Sequence, residues 1–517
     1  MGSAEQGSKS YVELAGLARE AAVLGSAANT LAWDQETMMP PAAAPLRADQ
    51  LSALSAIVHE RWTSPRIGEL LSACADEAAL RDDPDASANI REWKRDYDRA
   101  RKVPTALVAE FAKTTSEAME AWKHARASSK YTDFAPWLEK VVTLCKRKAE
   151  CWGPPSAPAG GGKTTLYDAL LDEFEPGMTE AQIEALFNPL RTRLTPLIAS
   201  IAQAVAKKPV DESIHAVRVP LEQQKAFNGM VAMRLGFDTT GGRLDESAHP
   251  FSDGAGPGDT RMTTRYRHDH FMDALSSTLH ETGHSLYEQG LDKWDRFGQP
   301  LAQAASLGIH ESQSRMWENF VGRSRAFWEW ALPEAKKVFA PALDKHSVEQ
   351  AHRAANSVKP NFIRVDSDEA TYNLHIMLRF DLERALFTGD LSVRDLPGAW
   401  NERIKKDLGL EVKEDRLGCL QDVHWSMGAI GYFPTYTLGN LYAGQMWGRI
   451  TRDLPDLEID VARGNFAPLL GWLREHVHTP GRRWSAPELC KRITGSALSH
   501  EPLMEVLDGK LKPLYGV

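Results

Sequence analysis

Two histidines four residues apart, with a glutamate beside the first, are the residues of this sequence best suited to chemistry. They are His280, Glu281 and His284 in the stretch ALSSTLHETGHSLYEQG. In a helix, residues four apart share one face, so both imidazoles can bind a single ion. Glu281 then lies about 100° further round the helix, where it can accept a proton from water. These are the parts of a zinc hydrolase site.

A helix with two unrelated histidines is the alternative, because so short a pattern also occurs by chance. A third ligand helps to decide, since a catalytic zinc ion is held by three protein groups. One class of zinc protease supplies it in an HExxHxxGxxH extension. That extension is absent here, because Tyr287 and Gly290 occupy the positions of its glycine and its third histidine. The other class takes a glutamate from a later helix.

The stretch SLGIHESQSRMWENF from Ser306 predicts such a later helix. Its Glu311 lies 27 residues after His284, which leaves room for a turn and a returning helix. Glu311 is therefore the predicted third ligand. Three other residues remain as alternatives: His310, Glu318 and Glu288, the last a full turn beyond His284 on the first helix.

The helix that must hold both histidines has a clear apolar pattern. In HDHFMDALSSTLHETGHSLYEQG, apolar residues recur at helical spacing from Phe271 to Leu286. Asp269 is in position to cap the start of the helix, and Gly290 is in position to end it. The pattern predicts a helix of about twenty residues.

Most of the remaining chain also has helical periodicity, which predicts a mostly α-helical fold. One helix is expected from Tyr11 to just before Pro40, and antiparallel helices are expected over residues 45–150. Two stretches predict short strands, IHAVRVPL from Ile214 and DTRMTTRYR from Asp259. Between them, the stretch DTTGGRLDESAHPFSDGAGPGD has the composition of loops and turns. A small sheet is therefore expected just before the ligand helix.

Composition argues against several classes of partner. The net charge of the 517 residues is −9 and no basic patch dominates, so nucleic acid is not an expected partner. No run of about 18 apolar residues predicts a membrane span. The five cysteines are scattered and form no CxxC pair, which favours reduced thiols and a cytoplasmic location. Residues 1–10 do not resemble a signal peptide and predict a flexible tail.

A glycine-rich stretch imitates a nucleotide-binding loop. Residues 157–164 end in Gly162, Lys163 and Thr164, in the order of a phosphate loop. Such a loop begins with glycine and follows a buried strand. Here Ala157 holds the first position, and the preceding KRKAECWGPP does not have the pattern of a strand. A nucleotide site is therefore not expected.

Further motifs spread from residue 33 to 440 give the chain a family resemblance. They are WDQETMMPPAA at Trp33, YDALLDEFEPGMT at Tyr167, HPF at His249, DTRMT at Asp259, HES at His310, IRVDSD at Ile363, GCLQDVHW at Gly418 and GYFPTY at Gly431. In kind and order they resemble the motifs of the carboxypeptidase Taq family of zinc metallocarboxypeptidases. Ser367 stands where the IRxxAD motif of that family has alanine.

The resemblance implies a mostly α-helical metallopeptidase with a small β-sheet beside a long, deep groove, similar to angiotensin-converting enzyme and neurolysin. It implies a single catalytic domain over residues 11–517, with two helical lobes around the groove. It also implies that single C-terminal residues are removed from peptides with broad specificity, that cobalt can replace zinc, and that the protein is a homodimer. The third zinc ligand that it implies is Glu311, in agreement with the spacing.

A carboxypeptidase must recognise a free terminal carboxylate, a task for which the arginine side chain is well suited. Arg364 in NFIRVDSDEATYNLH is the predicted carboxylate ligand, and the resemblance points to the same residue. Its alternative role is an internal salt bridge to Asp366 or Asp368. Arg261 and Arg315 are the other candidates.

The segment QDVHWSMGAIGYFPTY offers hydrogen-bond donors for an oxyanion. By similarity to other helical zinc peptidases, His424 and a tyrosine of this segment are expected to face the metal, with Tyr436 favoured over Tyr432. Alternatively, both tyrosines pack with Trp425 in the core. Asp422 is expected to orient a ring nitrogen of a zinc histidine, as carboxylates around metal sites often do.

The sequence thus predicts a zinc carboxypeptidase in which Glu281 is the general base and Arg364 binds the terminal carboxylate. There are two alternatives. One is an oligopeptidase that cuts internal bonds in the same type of groove. The other is a helical interaction protein with an inactive zinc site, and the intact ligands and Glu281 argue against it.

Overall fold

The structure, a computed structural model, describes residues 2–156, 163–247 and 249–517. The α-helices are α1 Ser3–Gly7, α2 Lys9–Thr37, α3 Ala44–Trp62, α4 Pro65–Asp76, α5 Ala78–Asp82, α6 Pro84–Lys102, α7 Thr105–Ser128, α8 Tyr131–Trp152, α9 Leu166–Phe174, α10 Glu180–Lys207, α11 Leu221–Leu235, α12 Phe271–Gly290, α13 Lys293–Arg296, α14 Leu307–Arg315, α15 Arg325–Phe339, α16 Val348–Ala355, α17 Tyr372–Thr388, α18 Leu396–Leu408, α19 Pro434–Asp453, α20 Leu457–Ala462, α21 Ala467–Leu473, α22 Ala486–Thr494 and α23 Glu501–Tyr515. The strands are β1 Gly242–Glu246, β2 Ser252–Gly256 and β3 Asp259–Thr264. Two segments, Met316–Val321 and Arg474–His478, are π-helical.

The prediction of a mostly helical fold with a small sheet is confirmed. The ligand helix is α12, which has the expected 20 residues, and the helix expected after Ser306 is α14. The predicted cap of α12 is wrong. His270 is the residue before the first turn and makes no capping hydrogen bond. Asp269 instead contacts the ring of His270, with its Oδ1 2.7 Å from Nδ1.

The chain forms two compact units. The first comprises Met1–Arg101, Asp211–Ala355 and Met446–Gly495, and it contains the sheet and helices α12 and α14. The second comprises Lys102–Val210, Asn356–Gln445 and Ser496–Val517, and it contains α17 and the start of α19.

The sheet has the order β1-β3-β2. Strand β3 pairs parallel with β1, with Thr260 opposite Gly242, and antiparallel with β2, with Met262 opposite Ser252. The strand predicted from Asp259 is confirmed. The loop predicted for the preceding residues is wrong, because both β1 and β2 lie there. Composition does not reveal these two strands, because glycine is rare in strands. The hydrogen bonds that stabilise β1 and β2 come from pairing with β3.

The strand predicted from Ile214 is also wrong. Residues Ser213–Ala216 form a 3-10 turn, and α11 begins directly after Pro220. Proline has no N–H to give to a ladder and suits the start of a helix. Only residues 217–219, between the 3-10 turn and Pro220, could therefore adopt the extended conformation of a strand.

Helix α12 lies between the sheet and α14, with contacts to both. The side-chain oxygen of Thr282 lies 3.6 Å from Met262 Sδ on β3, and the hydroxyls of Ser285 and Ser252 are 2.9 Å apart. The apolar residues predicted to form the buried face of α12 are indeed buried. Each such side chain contributes roughly 1.5–3 kcal/mol to folding, so α12 is a well-anchored support for the residues on its other face.

The structure differs from the flexible tail that the sequence predicts for residues 1–10. Helix α1 is followed closely by α2, and the Glu5 side chain is fully buried. Tyr11 donates a hydrogen bond to Glu5 Oε1 at 2.9 Å, and Arg296 forms an ion pair with the same oxygen at 3.4 Å. These polar contacts hold α1 in place. The spacing of apolar residues, on which the sequence prediction was based, contains no information about them.

Most of the stretch that imitates a nucleotide-binding loop, residues 157–162, lies outside the described residues. It follows helix α8 rather than a strand, which confirms that the context of a phosphate loop is lacking. Among the residues that the structure describes, no helix is long and apolar enough to cross a membrane.

Candidate functional site

The first unit brings together His280 and His284 from α12 and Glu311 from α14. Glu311 Oε2 lies 3.6 Å from His280 Nε2 and 3.4 Å from His284 Nε2. Ligands at about 2.0–2.1 Å from a tetrahedral zinc ion are separated by about 3.4 Å, so the spacing suits one ion. In the described part of the chain, this is the one group of three side chains found with such an arrangement.

A glycine between the two histidines lets α14 approach α12. A Cβ atom at Gly283 would lie 2.5 Å from the Gln313 carbonyl oxygen and 2.6 Å from Ser314 Cα. Any larger residue would therefore push α14, and Glu311 with it, away from the histidines. The start of α14 is fixed by Ser306, whose hydroxyl accepts a hydrogen bond from the Ile309 N–H at 3.0 Å.

The protonation states suit a metal. Burial lowers the pKa of His284 to about 3, so its imidazole is neutral at pH 7. Burial would raise the pKa of Glu311, but Arg315 and the two histidines hold it well below its usual value, so it is a carboxylate. The Nδ1 atom of His284 is buried without a hydrogen-bond partner. Imidazole nitrogens and one carboxylate are the donor set of many catalytic zinc sites.

Glu318 orients His280 but does not belong to the group formed by His280, His284 and Glu311. His280 Nδ1 donates a hydrogen bond to Glu318 Oε2 at 2.9 Å, which leaves Nε2 directed at Glu311. Burial would lower the pKa of His280, but Glu311 and Glu318 outweigh burial and raise it. Glu318 lies in the π-helical segment that continues α14. From sequence spacing alone, Glu318 is predicted only as an alternative metal ligand.

Arg315 joins the two glutamates. Its Nε donates to Glu311 Oε1 at 2.6 Å and its Nη1 donates to Glu318 Oε2 at 3.0 Å. The guanidinium therefore supports a predicted metal ligand and the residue that orients another. Both contacts are to carboxylates, so the positive charge of Arg315 is balanced within the first unit.

The two remaining alternatives for the third ligand bind each other. His310 Nε2 donates to Glu288 Oε1 at 2.8 Å, and Glu288 also pairs with Lys293. The His310 ring stacks on His284, with centroids 4.5 Å apart. Neither residue belongs to the group formed by His280, His284 and Glu311.

Glu281, next to His280 in the chain, is buried. Burial raises its pKa to about 7, although His280 acts in the opposite direction. The negative charges of Glu311 and Glu318 raise the pKa further. A carboxylate with a pKa near neutrality is suited to both accepting and releasing a proton.

Arg364 belongs to a buried cluster in the second unit. Its Nε and Nη2 donate to Asp422 Oδ1 at 3.1 and 2.8 Å, and its Nη1 donates to the Tyr372 hydroxyl at 2.8 Å. Arg379 donates through Nε to Asp422 Oδ2 at 2.7 Å. Two guanidinium groups thus share one carboxylate, which leaves a net positive charge among these three residues.

The cluster corrects two sequence expectations. The salt bridge of Arg364 is to Asp422, whereas Asp368 accepts hydrogen bonds from backbone N–H groups, including that of Ala370 at 2.9 Å. Asp422 was expected to orient a zinc histidine. It binds arginines instead, and Glu318 is the residue that orients His280. Arg379 was missed because nothing in its local sequence distinguishes it from a surface arginine.

His424, Tyr432 and Tyr436 lie together in the second unit. His424 Nε2 is 3.2 Å from the Tyr436 hydroxyl, and the ring centroids of His424 and Tyr432 are 5.4 Å apart. Burial lowers the pKa of His424 to about 4, so it is neutral at pH 7. Both tyrosines are only partly buried, unlike Trp425, which is 4% exposed. The two tyrosines are therefore not part of the fully buried core that includes Trp425.

Arg261, the other predicted carboxylate ligand, lies on β3. Its Nε and Nη2 donate to the two oxygens of Asp259 at 2.7 and 2.8 Å. Its guanidinium also lies over the Trp33 ring, 4.7 Å from the centroid. The edge of the Arg261 guanidinium thus forms a bidentate ion pair, and one of its faces makes a cation–π contact.

Comparison with known proteins gives a consistent result. Residues 13–511 match the family model described as carboxypeptidase Taq (M32) metallopeptidase. The thermostable carboxypeptidase 1 of Thermus thermophilus is 46% identical over 509 residues, which cover 98% of this chain and 99% of that protein. Carboxypeptidase 1 of Bacillus subtilis is 38% identical, with 93% of this chain and 94% of that protein covered.

The fold agrees with a solved structure of the same kind. The M32 carboxypeptidase of Deinococcus radiodurans R1 superposes with a TM-score of 0.93 and is 38% identical. The superposition covers 99% of this chain and 100% of that one. Sequence and fold therefore point to the same family over nearly the whole chain.

Proposed function

This chain belongs to the carboxypeptidase Taq (M32) metallopeptidase family, and on that premise we propose that it is a zinc carboxypeptidase that releases single residues from the C-terminus of peptides with broad specificity. Membership makes it a hydrolase. The observation that carries the finer proposal is the approach of Glu311 Oε2 to His280 Nε2 and His284 Nε2, at 3.6 and 3.4 Å.

The three side chains would hold zinc and leave a fourth position for a reactant, as catalytic zinc sites do. When bound, zinc polarises the scissile carbonyl and lowers the pKa of water. The imidazole and carboxylate donors also suit cobalt, which we propose can replace it. Glu318 and Arg315 support the proposal because they hold His280 and Glu311 in fixed orientations, as partners of metal ligands usually do.

Glu281 is the proposed general base. One of its carboxylate oxygens takes a proton from the attacking water, and the same group later passes this proton to the leaving amine. Its burial and its pKa of about 7 support this assignment, because proton transfer is efficient when the pKa of the group lies near the working pH.

Arg364 is the proposed ligand of the terminal carboxylate, with Arg261 as the second candidate. The support is electrostatic. Arg364 and Arg379 share the single carboxylate of Asp422, so an additional anion would balance the buried positive charge. The charge of Arg261 is balanced by Asp259 in a one-to-one ion pair, which leaves no net positive charge for a further anion. Arg261 therefore ranks second.

We propose that His424, Tyr436 and Tyr432 donate hydrogen bonds to the oxyanion of the tetrahedral intermediate, with Tyr436 the principal tyrosine. Neutral His424 and the two phenols carry N–H and O–H groups suited to this task. The 3.2 Å separation of His424 Nε2 and the Tyr436 hydroxyl supports a shared role.

The third metal ligand can be tested by substitution. Glu311→Ala is expected to weaken zinc binding by more than about 100-fold, beyond the 10–100-fold typical of residues that only support a ligand. His310→Ala is the matched control on the same helix, and it should retain zinc because His310 binds Glu288. Competition with a chromophoric chelator measures both affinities. The reverse order would mean that the third ligand is His310.

The reaction itself is tested with purified protein of measured metal content and a peptide of known sequence. Mass spectrometry over time should show a ladder in which one C-terminal residue is lost at each step. A peptide blocked at both ends should remain intact. Internal cleavage of the blocked peptide would favour the oligopeptidase alternative, and no cleavage by zinc-loaded protein would favour an inactive interaction protein.

The location and assembly of the protein are also proposals. All five cysteines are free, which supports a reducing compartment such as the cytoplasm. A homodimer is proposed from the family resemblance, and analytical ultracentrifugation of the purified chain is the measurement that tests it.

A further inference from the structure

A buried carboxylate in the second unit contacts both ends of a loop that adjoins the proposed catalytic residues. Glu383, on α17, is 1% exposed. Its Oε1 accepts a hydrogen bond from Trp425 Nε1 at 2.8 Å. Its Oε2 accepts hydrogen bonds from the Gly431 N–H at 2.9 Å and from the Tyr167 hydroxyl at 2.8 Å.

Two of these three donors adjoin the proposed oxyanion donors. Trp425 directly follows His424, and Gly431 directly precedes Tyr432. Residues 424–431 therefore form a loop that is fastened to one carboxylate at both ends. Tyr436 lies five residues after Gly431, within the first turn of α19.

The loop has little regular structure of its own to hold it. Between Gly418 and Pro434 the chain forms turns rather than helix or strand. Gly428 and Gly431 have φ angles of +73° and +91°, which favour glycine. A Cβ atom at Gly431 would lie 3.0 Å from the Leu171 N atom on α9. The loop thus depends on tertiary contacts for its conformation.

Stability alone does not explain a carboxylate at this position. Burial raises the pKa of Glu383 to about 7, so the charged form is costly to bury. No cation forms an ion pair with it among the described residues. Well-packed apolar residues often stabilise a core as well as or better than buried charges do. A group that accepts three hydrogen bonds at once can, however, position three separate donors.

We propose that Glu383 is a positioning residue, which holds the loop 424–431 through Trp425 and Gly431 and thereby sets the places of His424, Tyr432 and Tyr436. This inference rests on the proposed function for the roles of those three residues. It goes beyond that function by assigning their alignment to one buried side chain outside the proposed metal ligands and oxyanion donors.

The test begins with Glu383→Gln. An amide has only one acceptor oxygen, so its NH₂ group must face at least one of the former donors and the loop loses a contact. Hydrogen–deuterium exchange should become faster in residues 424–436, while exchange in α12 remains unchanged. The value of kcat should fall by about 100-fold, the cost of a misplaced catalytic group, and KM should change little.

A matched pair of variants separates positioning from stability. Trp425→Phe and Tyr167→Phe each remove one donor from Glu383, but only Trp425 belongs to the loop. Both should lower the melting temperature to a similar extent, while only Trp425→Phe should speed exchange in the loop and lower kcat. This pair decides the question even if Glu383→Gln does not fold.

Each result has a definite meaning. Unchanged exchange in residues 424–436 in Glu383→Gln would overturn the proposal, as would an equal loss of kcat in Trp425→Phe and Tyr167→Phe. Faster exchange with normal kcat, while His424→Ala lowers kcat, would also overturn it. If His424→Ala and Tyr436→Phe both retain normal kcat, the failure lies with their proposed roles, and the exchange data still decide whether Glu383 holds the loop.

Discussion

Glu281→Gln is expected to lower kcat by about 100- to 10,000-fold, the usual contribution of a positioned proton-transfer group. This corresponds to roughly 3 kcal/mol or more of lost transition-state stabilisation. Glutamine has the size of glutamate but cannot accept the proton. Zinc affinity and peptide affinity should remain near normal, because Glu281 is not one of the three grouped side chains. Single-turnover kinetics on metal-loaded protein measure the effect.

The pH profile provides an independent check on Glu281. The base acts as a carboxylate, so the activity of the wild-type protein should fall as the pH drops through the pKa of this group. The residual activity of Glu281→Gln should lack this acidic limb. A variant that turns over at a near-normal rate, with its metal content confirmed, would remove Glu281 from the mechanism.

Peptides with a C-terminal amide should be cleaved far more slowly than the same peptides with a free carboxylate. The amide leaves the Arg364 guanidinium in its buried cluster without the anion that it is proposed to bind. Loss of one side of a buried charged pair costs about 2–5 kcal/mol, or roughly 30- to 5,000-fold. The ratio of kcat/KM for acid and amide measures this discrimination without interference from general loss of activity.

In Arg364→Ala the discrimination should largely disappear, because neither substrate then has the contact. Arg364→Lys should retain part of it, since lysine keeps the charge but not the two-pronged geometry. Arg261→Ala is the control and should keep the wild-type ratio. Arg315→Ala is not a clean control, because Arg315 contacts Glu311. If Arg261→Ala loses the discrimination while Arg364→Ala retains it, Arg261 is the carboxylate ligand.

The sheet shows where prediction from sequence was limited. Strand β3 was predicted because alternating and β-branched residues report a half-buried strand locally. Strands β1 and β2 lack this signal, because their sequences, GRLDE and SDGAG, consist largely of glycine and charged residues. Both strands are stabilised by pairing with β3. In β2, Glu288 and Lys293 approach Gly254 so closely that this position has no room for a side chain.

The sequence by itself determined the helix that carries His280, Glu281 and His284, because apolar spacing and the i, i+4 relation are properties of one short segment. It also determined the family, because many motifs recur in order along the chain. It reduced the third ligand to a few acidic and histidine residues on two helices, with Glu311 preferred.

Only the tertiary structure decided which of those residues lie together and which contacts each of them makes. Contact at Gly283 brings α14 against α12. The π-helical turn after α14 directs Glu318 to His280 Nδ1, outside the group formed by His280, His284 and Glu311. Likewise, the pairing of Asp422 with two arginines and the contacts of Glu383 join residues more than 40 positions apart. Such contacts depend on how helices cross, and residue spacing within one segment contains no information about that crossing.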